Sequence, residues 1–592
     1  MSLTLALLLA LFGIAWGIFQ SQRATVSEIP GGLTKPFGIA VIALFVVLFC
    51  ELQPFILDQM FGIPTDNLIV VVTKWVNRVS AVLAPIGAAM AFVSSKLGEY
   101  VKSATQSPKL TAQIKGVIMQ VAIYASGLIL PVVIWMIFLD VAYWGICVSK
   151  VAGACQAPAW LAILSHRIFG SHLYAPALLY LAAALICFVL SLLMRPNANS
   201  LHPLYRDRLR KAFLFVPQAK MGEADLPVFE KPLSEITCRN GPYHLINAAL
   251  NVEESKTANR RGRNADFFLF SPLFVGSKST GYVATADVEQ VAIGFDLATT
   301  MAVSGAAASS SMGAQSIKPL TATLALLNIR LGYWLRNPLR LAKAAPADPR
   351  RRRRWSEFRR RNNFFANYYF ILELFGLLNE RRKSVYLTDG GHIENLGIYE
   401  LLRRRCQVII AVDAEADPQM AFGSFNTLER YALIDMGIRI DLPWQKIADE
   451  SLATSEAIDD KGDAPKHKGP HCAIGEITYP RDKKGDRTGI LIYIKASLTG
   501  DENDYIFDYK KRHSDFPHET TLDQWFSEEQ FEAYRALGFH AAYRCFSGQD
   551  RYAFLDCDES RDCLPNVGVL NTVFAGAAIG LPEQACTQVM PL

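Results

Sequence analysis

The chain contains eleven cysteines but no Cys-x-x-Cys pair and no regular cysteine spacing. That excludes a disulfide scaffold and a zinc ribbon, both of which need recurring short spacings. Excess charge is also scarce. A formal net charge of +5 over 592 residues is too small for a chain that binds nucleic acid over its whole surface, and no nucleic-acid partner is expected. His513, His518 and His540 do not stand at metal-ligand spacing, so neither a metal nor a cofactor is expected. No charged residue precedes Arg23.

What is present first is apolar sequence. Leu3 to Phe19, Gly116 to Leu139 and Ile168 to Met194 are long runs without Asp, Glu, Lys or Arg. About 20 helical residues cross a hydrocarbon core of ~30 Å, so each run predicts a span. Runs at 36 to 57, interrupted by Glu51, and at 79 to 95 bring the expected number to four or five. Lys and Arg are frequent before Gly116 and after Met194 but sparse from 140 to 171. By the positive-inside rule this predicts an integral membrane protein whose C-terminal two thirds is cytoplasmic. The first run lacks a basic n-region and predicts an anchor rather than a cleaved signal. Cys147 and Cys155, in the loop between two apolar runs, are placed to pair if that loop faces an oxidising compartment.

The expected organisation is thus a transmembrane region over residues 1–195 and a second domain over 196–592. The second opens on "HPLYRDRLRKAFL", in which Leu204, Leu209 and Phe213 recur at helical spacing among basic residues. Such a pattern predicts a helix lying along a charged membrane surface. Apolar runs at 244 to 252, 265 to 276, 384 to 391 and 406 to 414 predict strands, with a helix over 395 to 405 between the last two. Strand, glycine turn, helix and strand in succession predict an α/β domain with a largely parallel sheet. Ligands of such sheets sit beyond the carboxyl ends of strands, and Asp389 of "LTDGGHIENL" stands at one. A further strand is expected at 489 to 498 and a helix over 521 to 538, stopped by Gly538. A basic insertion near 345–363, followed by aromatics, suits an anionic lipid surface, and 455–470 reads as a flexible loop.

From about residue 200 to 540 an ordered series of strings, including "INAALNV", "FFLFSPLFVGSKSTGY", "MAVSGAAASSSMG" and "LTDGGHIENLGIYELLRRRCQVIIAVDAEAD", resembles the bacterial membrane-associated branch of the patatin-like phospholipase family. That branch is related in fold to the cytosolic phospholipase A2 catalytic domain. The resemblance implies a bacterial inner-membrane location and metal-free hydrolysis of lipid esters by a Ser/Asp dyad. A serine on a Gly-x-Ser-x-Gly elbow would attack the carbonyl, an aspartate in an Asp-Gly-Gly turn would take its proton, and a glycine-rich loop would hold the oxyanion. Asp389 matches the catalytic aspartate, and Gly390 and Gly391 match its turn. Gly-x-Ser-x-Gly and Gly-Gly-Gly occur nowhere in the chain, the nearest strings being those around Ser304 and Ser279. The nucleophile is therefore unassigned, as in a family member whose N-terminal nucleophile half is missing. The expected partners are membrane phospholipids and a separate polypeptide carrying the serine half. The alternative is a catalytically inactive pseudoenzyme or interaction subunit on the same fold.

Overall fold

The computed structural model describes, with short internal gaps, residues 131–148, 158–216, 226–313, 330–344, 368–461, 469–519 and 526–547. The apolar runs at 3–19, 36–57 and 79–95, apart from Leu44 and Val47, and the basic insertion at 345–363 lie outside the described residues. The chain divides into two units, one comprising Met1–Met194 with Lys318–Leu327 and Phe365–Asn367, the other comprising the remainder.

The first unit contains helices α1 (Ala159–Phe169) and α2 (Ala175–Leu193). The span expected over 168 to 194 is broken between them. Gly170, at φ 77° and ψ 178°, closes α1 with a backbone bond to His166 O and turns the chain out of the helix. Among the described residues no helix is long and apolar enough to cross a membrane. The multi-span membrane region and the integral-membrane location are corrected accordingly. Hydropathy alone does not register a glycine that leaves helical dihedrals. Cys147 is disulfide-bonded, while Cys155 lies outside the described residues.

The second unit opens with α3 (His202–Phe213), followed by the short pair β1 (Phe215–Val216) and β2 (Leu226–Pro227). Next come β3 (Ile246–Asn251), β4 (Ala265–Phe270), β5 (Phe274–Ser277), β6 (Gly281–Ala284), α4 (Thr285–Val291) and α5 (Leu297–Ser304). β7 (Tyr333–Arg336), α6 (Pro338–Ala344), α7 (Tyr368–Leu374), β8 (Ser384–Asp389) and α8 (Tyr399–Arg403) lead to β9 (Val408–Asp413). The remainder is α9 (Gly423–Met436), β10 (Arg439–Asp441), α10 (Gln445–Lys461), β11 (Cys472–Asp482), β12 (Gly485–Lys495), α11 (Asp504–Arg512) and α12 (Glu528–Ser547). α10 thus occupies the start of the segment expected to be a flexible loop at 455–470.

The strands form where the apolar runs fall, but the sheets are not largely parallel. One has six strands in the order β6-β5-β4-β3-β8-β7, every pair antiparallel. The other has the order β10-β11-β12-β9, with only β9 and β12 parallel. β8 and β9, read from sequence as neighbours joined by a helix, belong to different sheets. The expected fold class is corrected for a physical reason: a continuous apolar run, such as β8 buried on both faces or β9 exposing Ile410 and Val412, reads the same whichever way its partners point.

Two cores follow. Leu250, Phe268, Phe270 and Leu387 pack within the six-stranded sheet's core, while Ile409, Phe422, Phe425, Leu491 and Tyr493 pack in that of the mixed sheet. Phe267 of β4 stacks on Tyr399 of α8 with ring centroids 3.7 Å apart, tying the antiparallel sheet to the segment that follows the Asp389 turn. α12 covers Cys472, Ile492 and Ile494 through Ala541 and Cys545. On the same face β9, the outermost strand, leaves Ile410 and Val412 at 44% and 72% exposure. Gly538 does not stop α12. A glycine inside a helix costs only about 1 kcal/mol, and the burial of Ala541 and Cys545 beyond it offsets that.

Candidate active site

β8 delivers Asp389 to the start of a single 3-10 turn, Gly390–His392, and the aspartate caps that turn by accepting the Gly391 N–H at 2.7 Å. Gly390 is required by close approach to backbone. Neither Gly390 nor Gly391 has a positive φ. A Cβ on Gly390 would lie 3.0 Å from Asn247 O, and one on Gly391 would lie 2.6 Å from Asn395 Oδ1 and 3.2 Å from Asp389 Oδ1. At Gly390 a side chain would meet the Asn247 backbone, whereas at Gly391 it would meet the exposed Asn395 side chain, which can swing aside.

A chain of hydrogen bonds fixes the turn from behind. Asn251 Nδ2 donates to Thr388 Oγ1 (3.0 Å), and Thr388 Oγ1 is 2.9 Å from His392 Nδ1. His392 Nε2 reaches Ala307 O at 3.1 Å. With a carbonyl on Nε2, that nitrogen carries the proton and the Thr388 hydroxyl donates to Nδ1. Burial holds His392 at about 4, against the bond to Ala307, so the ring is neutral at physiological pH. It braces the turn and does not supply a charge. Glu394, also buried, accepts the N–H groups of Leu396 (2.6 Å) and Tyr399 (3.2 Å) and shapes the path into α8.

Asp389 opens on a cavity of about 370 Å³ lined by His244, Asn247, Ser304, Glu394 and Asn395, among others. Burial pushes its carboxyl up to about 6, while the Gly391 N–H pulls the other way. A carboxylate so placed is ionised at neutral pH yet basic enough to accept a proton, which is the condition for general base catalysis. Tyr205 of α3 belongs to the same neighbourhood. Its hydroxyl is raised by burial and then by the Asp389 charge, and it would lie 2.7 Å from a Cβ on Gly305. Sequence patterning missed Tyr205 because the apolar spacing of α3 picks out its outward face: Leu204 and Phe213 are 58% and 57% exposed, whereas His202 is buried with Nδ1 2.7 Å from Leu331 O.

Of the two serines nearest to an elbow motif, the structure brings Ser304 to the Asp389 cavity and leaves Ser279 elsewhere. Ser279 donates to Asp266 and does not line the cavity. Ser304 is the last residue of α5, with Gly305 closing the helix onto Met301 O at 3.1 Å. A nucleophile elbow puts its serine where a helix begins. Here the negative end of the helix dipole faces the hydroxyl and opposes an alkoxide. The group able to hold a metal among the described residues, His471, Asp501 and His540, shares no residue with this cavity. Comparison with known protein families, with characterised proteins and with solved structures finds no match to this chain.

Proposed function

We propose that this chain supplies the aspartate of a patatin-like lipid acyl hydrolase, with Asp389 as general base. The observation that carries the reading is Asp389 itself: at a strand end, held by the Gly391 N–H, raised to about 6 and open to a cavity. In this reading Asp389 takes the proton of a serine hydroxyl as its oxygen adds to the ester carbonyl and gives it to the alcohol oxygen that leaves as the ester bond breaks; it then takes a proton from the water that attacks the acyl-serine and returns it to the serine oxygen as the fatty acid is released. The serine comes from a separate polypeptide. The absence of Gly-x-Ser-x-Gly supports this, as does the outer strand β9, whose exposed Ile410 and Val412 offer an uncovered apolar edge among the described residues. The substrates are membrane phospholipids or lysophospholipids.

The test is hydrolysis of phospholipid and lysophospholipid vesicles by the purified chain, alone and mixed with a Gly-x-Ser-x-Gly protein encoded beside it. Activity only in the mixture, lost in Asp389→Asn, is the expected result. Equal rates with and without Asp389 in the mixture would reject the assignment and leave a non-catalytic role. A second reading has one observation in its favour, the position of Ser304 on the Asp389 cavity. Activity of the chain alone that Ser304→Ala abolishes would establish it in place of the split site.

A further inference from the structure

Three elements distant in sequence bring two imidazoles and a carboxylate to one point. His471 immediately precedes β11, Asp501 lies between β12 and α11, and His540 is on α12. His540 Nε2 is 3.0 Å from Asp501 Oδ1, His471 Nε2 is 3.8 Å from the same oxygen, and the three ligand atoms lie within 4.8 Å of one another. A tetrahedral cation with bonds of about 2.0–2.1 Å holds its ligands roughly 3.3 Å apart. Side-chain rotations that bring the ligand atoms closer by up to about 1.5 Å close the set. Spacings of 30 and 39 residues between the ligands lie far outside the short spacings by which metal sites are read from sequence.

Proton accounting shows which atoms face inward. The Ser497 hydroxyl gives its one proton to Lys495 O (3.2 Å), so its oxygen accepts from His471 Nδ1 (3.2 Å). The lone pair of the neutral ring is then on Nε2, directed into the cluster. There Thr499 Oγ1 lies 3.0 Å from His471 Nε2, 2.9 Å from Asp501 Oδ1 and 3.3 Å from Glu502 Oε1. His471 and Glu502 are fully buried at their side chains, and Glu502 is held by the Thr499 N–H (2.6 Å) and the Gly500 N–H (2.9 Å). Arg544 Nη1 holds Asp501 Oδ2 at 2.8 Å, which orients the carboxylate and leaves Oδ1 for a cation, the usual outer-shell arrangement at metal sites. Side-chain exposures of 12% for Asp501 and 16% for His540 leave an ion a way in.

We propose that His471, Asp501 and His540 bind a divalent first-row transition-metal ion, with zinc the best match and a water completing the coordination. Two imidazoles and one carboxylate suit zinc and its neighbours, whereas magnesium and calcium take oxygen ligands. Because the ligands come from the entry of β11, the loop after β12 and α12, the ion clamps α12 to the mixed sheet. Its role is structural and independent of the Asp389 cavity.

The experiment is zinc titration of the tag-free, chelator-stripped full chain by calorimetry, with thermal unfolding followed in parallel. One equivalent of zinc is expected to bind and to raise the melting temperature by about 5–10 °C, with no such rise in magnesium. His540→Gln, which retains a donor to Asp501, is expected to weaken zinc binding by about 100-fold. No binding by the wild type, or undiminished binding by a folded His540→Gln, overturns the site. X-ray absorption at the zinc edge of the wild-type complex does not depend on any variant folding. Nitrogen and oxygen ligands support the proposal, and sulfur ligation, pointing instead to Cys472 and Cys545 with sulfurs 3.0 Å apart, overturns it.

Discussion

Burial makes Asp389 both a usable base and a destabilising residue. Its carboxyl is raised to about 6 in the fold, above the ~3.9 of an unfolded aspartate. Between those values the native state holds more protons than the unfolded one, so stability falls as pH rises from about 4 to 6, by on the order of 3 kcal/mol. Asp389→Asn removes the charge and keeps an oxygen for the Gly391 N–H. It is expected to abolish the hydrolysis proposed for the mixed chains while raising the melting temperature at pH 7.5 by several degrees, a gain that shrinks toward pH 4. Scanning calorimetry at the two pH values measures it, and an unchanged or lowered melting temperature at pH 7.5 would contradict the burial argument. Gly390→Ala tests the close approach instead. A Cβ 3.0 Å from the backbone oxygen of Asn247 is expected to cost about 1–3 kcal/mol, seen as a lower urea midpoint together with loss of the hydrolysis proposed for the mixed chains. The Asp-Gly-Gly turn was legible in sequence because a strand end followed by two glycines is a local pattern. Tyr205, His392's bracing contacts and the position of Ser304 were not, because each depends on a partner from a remote segment.

At the scale of elements, the junction of β9 and β12 concentrates buried charge. Lys495 Nζ, with no exposed surface, lies 2.9 Å from Asp413 Oδ2, and the Tyr493 hydroxyl donates to the same carboxylate. Lys495→Met leaves Asp413 buried without its cation and is expected to lower stability by about 3–5 kcal/mol in urea denaturation. The double variant Lys495→Met/Asp413→Leu is expected to recover most of that loss, since the pair owes much of its Coulomb energy to offsetting its own desolvation. A double variant as unstable as the single would show that the pair contributes more than compensation. Apolar runs located β3, β4, β8, β9 and β12 in the sequence, but pairing direction was not legible. Val408–Asp413 alternates buried Ile409 and Ala411 with exposed Ile410 and Val412, and in sequence all four are simply apolar.

For the whole molecule, the small net charge of +5 hides a local arrangement suited to lipid. α3 turns Leu204 and Phe213 outward alongside the exposed Arg208 and Lys211, which matches an amphipathic contact with an anionic headgroup layer. Co-sedimentation with vesicles rich in anionic phospholipid is expected to fall several-fold between about 0.05 and 0.5 M salt, as screening predicts. It is expected to fall further in Leu204→Glu/Phe213→Glu, whose substituted side chains are already exposed. Binding insensitive to both changes would remove α3 from the lipid contact. Composition suggested a membrane-linked chain, but long apolar runs do not reveal a helix end such as that at Gly170, and the run from 168 to 194 is not one continuous helix. The mixed sheet also sets an order of assembly. β11 and β12 are sequence neighbours and zip as a hairpin, whereas the parallel partner β9 lies some eighty residues earlier, with Asp413 and Lys495 separated by 82 positions. Loop closure of that length comes after local pairing. The hairpin therefore serves as the template on which β9, and with it the segment leading from the Asp389 turn, is captured late in folding.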